Sequence, residues 1–100
     1  MPEIITKVLI EKLVLGKEDE FYREVQRHKI EVRDVQNHSL FRQNLLFSSI
    51  FIANQDQAIK MSSELIRRGV DPTQKDNLKQ TPLYYAAREG KLKVIQFLID

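Results

Sequence analysis

His28 and His38 are the only histidines, so any acid–base chemistry near neutral pH would start from them. His38 follows Asp34 and precedes Ser39, which together are the residue types of a hydrolase triad. A triad needs groups that converge from separate parts of a fold, and neighbours in one polar loop do not supply that geometry. The plain reading of His38 is a surface histidine in a polar loop. Two distant histidines and scattered carboxylates are too dispersed for a metal site. The chain has no cysteine, which removes thiolate ligands, thiolate nucleophiles and disulfides together. Its three glycines stand singly at expected helix ends and build no phosphate loop. Asn37-His38-Ser39 has the spacing of a glycosylation acceptor, which is incidental without secretion. Arg67-Arg68 carries the charge to meet a phosphate, but a basic last helical turn is also what the helix dipole favours. Tyr84 and Tyr85 are candidate binding aromatics, at least one of them structural. The side chains therefore point to no catalytic residue, no metal and no cofactor.

Composition narrows the class further. Of the 100 residues, 42% are hydrophobic and 30% charged, which suits one small folded domain or part of a larger one. The net charge is +2, from 16 basic and 14 acidic residues with the signs interspersed, so no basic stripe marks a nucleic-acid partner. The pI of about 9.0 rests on a few charges. Glu3, Lys7, Glu11 and Lys12 interrupt the apolar start of the chain at helical spacing, which is unlike a signal peptide. No stretch approaches the roughly 18 apolar residues of a membrane span. The expectation is an intracellular protein, cytoplasmic or nuclear, with no nucleic-acid or membrane partner.

Hydrophobic periodicity and breakers divide the chain into three helix pairs. The first pair is expected over 3–15 and 18–28, with Gly16 between its helices and Lys7 and Glu11 paired on a solvated face. Residues 29–43 have no helical period and are rich in turn formers. The second pair is expected over 44–53 and 57–68, closed by Gly69 and by Asp71-Pro72. In the third, Thr81 caps a helix that starts at Pro82 and stops before Gly90, and a last helix runs from Lys91 to the end. That last helix is apolar around most of its circumference, so exposing it would be costly. The chain is thus expected to be the front of a longer array, or to have this edge covered by another chain.

The pairs echo one another. Gly69-Val70-Asp71-Pro72, Thr81-Pro82-Leu83-Tyr84, Ala86-Ala87, Gly90 and Val94-Ile95-Gln96-Phe97-Leu98 together resemble the ankyrin repeat, whose period is about 33 residues and whose marker is T-P-L-H-x-A. Two departures stand out: Lys79 occupies a finger position where the family favours glycine, and Tyr84 replaces the histidine. A phenol there has a different reach for the family's hydrogen bond between loops. The middle pair admits two registers. One aligns Gln43–Ser49 with Gln80–Ala86, placing Asn44 as cap and Ser49 at the small position. The other keeps the period of about 33 and puts Ala53 under Ala86.

The resemblance implies an all-α ankyrin-repeat solenoid of stacked helix-turn-helix units with projecting β-hairpin fingers. About three repeats are expected: a divergent N-terminal capping repeat over 1–33, a repeat with longer finger and helix over 34–75, and a truncated repeat over 76–100. It further implies a non-catalytic scaffold that binds another protein through finger loops and inner helices. The matching partner-binding positions are Lys75, Asn77, Leu78 and Gln80 on the finger and Arg88 and Glu89 at the end of the inner helix. Asn37 and His38, with Leu40 and Phe41, form a second patch, in which the two apolar residues either tuck under the third helix or meet the partner. Self-association through the open C-terminal edge is a further expectation. The alternative function is the N-terminal targeting or regulatory module of a larger enzyme.

Overall fold

Apolar stripes of unequal width organise the described residues into six helices. The computed structural model describes residues 3–37 and 41–100. The helices are α1 (Glu3–Val14), α2 (Glu18–Arg27), α3 (Leu46–Ser49), α4 (Gln55–Arg67), α5 (Pro82–Arg88) and α6 (Leu92–Ile99), with a 3-10 turn at Val32–Asp34. The all-helical class is the one the sequence predicts. The β-hairpin form of the fingers is not reached: among the described residues there is no strand, only an isolated antiparallel bridge between Asn37 and Gln43.

Four helices end in one way. The amides of Lys17, Ile30, Val70 and Lys91 bond back to the carbonyls of Lys12, Val25, Leu65 and Ala86 at 2.9–3.0 Å. The residue before each of these amides takes positive φ, as this type of helix ending requires. Three of those residues are the expected glycines; after α2 the place falls to Lys29, at φ 53°. Gly69 has the strictest need. Its φ is 101°, and an added Cβ would meet the Arg33 side chain at 3.0 Å.

The second pair departs most from expectation. Only Leu46–Ser49 is α-helical within 44–53, and tighter bonds flank it, from Ser48 N to Leu45 O (3.1 Å) and Ile52 N to Ser49 O (3.3 Å). Aromatic and β-branched residues here have weak helix propensity and are held by burial instead. Asn44 accepts from Leu46 N at 3.0 Å, but its amide turns away to Asp71 O (2.8 Å) and Gln74 Oε1 (3.2 Å). α4 starts at Gln55, ahead of expectation, because Asn54 accepts from Gln57 N at 3.0 Å and caps it.

Three helices, α1, α3 and α5, pack in a row. α1 packs on α3 and α3 on α5, while each packs on the next helix in its own pair, and α4 packs on α6. A single apolar cluster, including Leu13, Phe21, Leu46, Phe47, Ile50 and Leu65, runs through the stack. Between α3 and α4 it contains two hydroxyls, Ser49 and Ser62, hydrogen-bonded to each other at 2.6 Å. α1 buries a narrower face than its apolar residues suggest, since Ile4 is 72% exposed. Lys7 and Glu11 are exposed and unpaired, and Lys12 pairs with Glu20 at 3.0 Å instead. α6 buries only Val94, leaving Leu92 and Ile99 in solvent.

Candidate partner-binding surface

The second finger is a tight loop built around Asp76. Asp76 N donates to Gln80 O (2.9 Å) and Lys79 N to Asp76 O (2.8 Å). Its carboxylate Oδ1 accepts from Leu78 N (2.9 Å) and Gln80 N (3.0 Å). Its Oδ2 accepts from Gln43 Nε2 (3.0 Å) and from the Tyr85 hydroxyl. Burial pushes the Asp76 carboxyl up, but the hydrogen bonds from Tyr85, Gln43, Gln80 and Leu78 outweigh it and hold it below its usual 3.8. Burial, and then the bond to Asp76, push the Tyr85 phenol up to about 12. Lys79 sits at φ 63°, so the position where the family favours glycine is left-handed here with a lysine in it.

The first finger closes through Asn37 N to Gln43 O (2.8 Å) and Gln43 N to Asn37 O (3.4 Å), with Arg42 left-handed at φ 56°. The two fingers are tied together. Asn77 N donates to Phe41 O at 2.7 Å. Gln74 Nε2 donates to Arg42 O and to Gln36 Oε1, each at 3.0 Å.

These ties place the expected site residues. Lys75, Asn77 and Leu78 are exposed on the second finger, and Gln80 is half-buried at its close. Arg88 and Glu89 are exposed at the end of α5 and pair at 3.4 Å, with the Arg88 guanidinium 4.9 Å from the Tyr85 ring centre. Asn37 is half-buried in the bridge of the first finger, and Phe41 is half-buried beside it. His38, Ser39 and Leu40 lie outside the described residues. Tyr84, at the histidine place, is 45% exposed, and the phenol that bonds into the finger is that of Tyr85, because helix rotation turns Tyr84 outward and Tyr85 inward. Tyr85 also packs edge-on against Phe47 (5.8 Å) and Phe51 (6.4 Å). Sequence reasoning missed the amide ladder of Gln36, Gln74 and Asn44, and beside it the bond from Gln43 to Asp76. Their only trace was a glutamine at the close of each finger, Gln43 and Gln80.

Other candidate chemistry is absorbed by structure. Arg67 and Arg68 both donate to Glu64, whose carboxyl their hydrogen bonds hold down at about 2, and Arg68 lies 4.8 Å over the Tyr22 ring. His28 is exposed beside Glu24 at 3.3 Å. Among the described residues no group of histidines and carboxylates could hold a metal, and no helix is long and apolar enough to cross a membrane.

Residues 79–100 match the ankyrin repeat family, a span that takes in left-handed Lys79, the Thr81 cap, α5, the Gly90 turn and α6. The chain carries an ankyrin repeat. Such a repeat is a protein–protein interaction module. In this one Thr81 accepts from Tyr84 N at 3.3 Å with Pro82 in the first turn, as the sequence predicts. No curated protein and no solved structure matches the chain significantly.

Proposed function

We propose that the chain is a non-catalytic scaffold of three ankyrin-type units, over 1–33, 34–75 and 76–100, that binds a partner protein through its fingers and inner helices. The observation that carries this reading is one local design used at both fingers. Arg42 and Lys79 are both left-handed, and Gln43 and Gln80 both close a finger. Asn44 and Thr81 each accept an amide at the start of the next helix, and Ser49 and Ala86 are small and fully buried. This repetition favours the alignment of Gln43–Ser49 with Gln80–Ala86. The α1–α2 pair packs on the next pair through α1 on α3 and through Gln57 to Gly16 and Lys60 to Glu18. Lys75, Asn77, Leu78, Gln80, Arg88 and Glu89, with Asn37 and His38 on the first finger, are the contact residues, a few of them supplying most of the affinity. An intracellular setting accords with a cysteine-free chain. A photoreactive benzoylphenylalanine placed at Leu78, and separately at Lys7 on α1, tests the reading in cells. A discrete protein adduct from position 78 alone is expected; equal adducts from both positions, or none from either, would overturn it.

Tyr84, Leu92 and Ile99 are 45%, 74% and 60% exposed on the last pair, and this supports self-association of two copies through that edge. Sedimentation equilibrium should then give a concentration-dependent mass that Leu92→Glu with Ile99→Glu reduces to the monomer's. A monomer at all concentrations would remove the proposal.

A further inference from the structure

We propose that Arg42 of the first finger and Lys75 and Lys79 of the second form one cationic strip that docks an acidic, extended polypeptide segment; this rests on the scaffold reading above and adds its partner's chemistry. Within 41–44 and 73–80 the charged residues are Arg42, Lys75, Asp76 and Lys79. The one anion, Asp76, is 5% exposed, and its carboxylate is taken up by four internal donors. The three cations are exposed, and among the described residues none of them pairs with a carboxylate. Other unpaired cations among the described residues, such as Lys7, Lys17 and Arg23, lie in the α1–α2 pair, whereas Lys12, Lys60, Arg67, Arg68 and Lys93 pair with carboxylates.

The strip is fixed before any partner arrives. Phe41 O accepts from Asn77 N, and Arg42 O accepts from Gln74 Nε2. The backbones that carry Arg42, Lys75 and Lys79 are therefore held side by side, which lowers the ordering cost of binding. Arg42 and Lys79 also occupy the same place in their fingers, at φ 56° and 63°, where glycine fits with less strain. A turn alone would be better served by glycine, yet both tips present a long basic side chain. Leu78, 54% exposed between Lys75 and Lys79, offers an apolar contact that a peptide side chain can meet. The described residues of the two fingers expose no aromatic ring on which bases would stack, Phe41 being half-buried, which favours a polypeptide over a nucleic acid.

The test uses the whole chain and a fluorescein-labelled oligoglutamate peptide with one central leucine, followed by anisotropy at low salt. Arg42→Gly, Lys75→Ala and Lys79→Gly together should weaken binding about tenfold or more, and added salt should weaken the wild type steeply. Removing three exposed cations elsewhere (Lys7→Ala, Lys17→Ala, Arg23→Ala) should change it less than about twofold, since the effect depends on proximity and not on net charge. Far-UV circular dichroism and Tm of the finger variant should match or exceed the wild type, so loss of fold is not the explanation. No loss in the finger variant, an equal loss in the control variant, or tighter binding of an oligothymidylate of the same charge would each overturn the proposal. A crosslink retained at Leu78 with oligoglutamate affinity indifferent to the finger substitutions removes the acidic partner alone. Absence of that crosslink removes the scaffold reading itself.

Discussion

The Tyr85 hydroxyl donates to the Asp76 carboxylate, so the side chain of an α5 residue fixes the tip of the finger that precedes its own helix. Because the acceptor is charged and buried, Tyr85→Phe should cost about 1.5–3 kcal/mol in urea unfolding. Asp76→Asn removes the charge and replaces one acceptor with a donor facing Gln43 Nε2 and Tyr85, and should cost at least as much. The pH dependence has a definite sign. Asp76 is depressed in the folded state, so its contribution is present above its ordinary 3.8 and is lost as pH falls through the lower folded value. Tyr85 is raised to about 12, so its contribution is full below its ordinary 10.0 and is lost as pH rises towards about 12. Tyr85→Phe should remove its own share of the alkaline loss, leaving that of Tyr22, whose phenol burial also raises, and should reduce the acid loss, measured by thermal unfolding across pH.

Arg42→Gly and Lys79→Gly should each leave stability unchanged or raise it by about 0.5–1 kcal/mol. Relief of left-handed strain then slightly exceeds the greater entropy of glycine in the unfolded chain. Lys79→Val at the same site should destabilise, because a β-branched residue tolerates positive φ least. Chemical denaturation of the three variants checks the order.

The sequence made the last pair legible because every signal there is local. Thr81 caps, Pro82 fits the first turn, Gly90 reverses the chain, and the family's spacing links them. The left-handed place of Lys79 was legible for the same reason. α3 was misjudged because its residues are apolar all round, so period gives neither its ends nor its face, and burial decides both. The amide ladder between fingers and the bond beside it were invisible because Gln36 and Gln74, or Gln43 and Asp76, meet only once two units stack. The bond from Tyr85 to Asp76 was not legible, since motif alignment gives position along a helix but not which neighbour a side chain will reach.

Ser49 and Ser62 form a closed pair within the core, with Ser49 also reaching Leu46 O at 3.3 Å. Ser49→Ala alone leaves the Ser62 hydroxyl without this partner and should cost about 1–2 kcal/mol. Ser49→Ala with Ser62→Ala removes both polar groups and should recover most of that loss. Ala86, fully buried in α5, shows that a methyl is accommodated in the core of this stack. A double-mutant cycle by urea denaturation should therefore show strong coupling; additive losses would mean that each hydroxyl finds another acceptor.

Gln55 joins two outer helices by an end contact that no repeat motif records. Lys91, the residue before α6, makes no side-chain cap, and the Gln55 Oε1 at the start of α4 accepts instead from Lys93 N (3.0 Å) and Val94 N (3.3 Å). α6 is only Leu92–Ile99 and buries Val94 alone, so a cap supplied from outside is a large part of what orders its first turn. Gln55→Ala should cost about 1 kcal/mol, within the usual range for a lost cap. Hydrogen exchange should speed up at Lys93 and Val94 while the amides of α4, capped by Asn54, stay protected. Gln55→Glu keeps an acceptor and adds a negative charge at two helix N-termini, which the dipoles favour, so protection should be equal or better at neutral pH. Protection lost equally in α4 and α6 after Gln55→Ala would show that the residue supports its own helix and not its neighbour's.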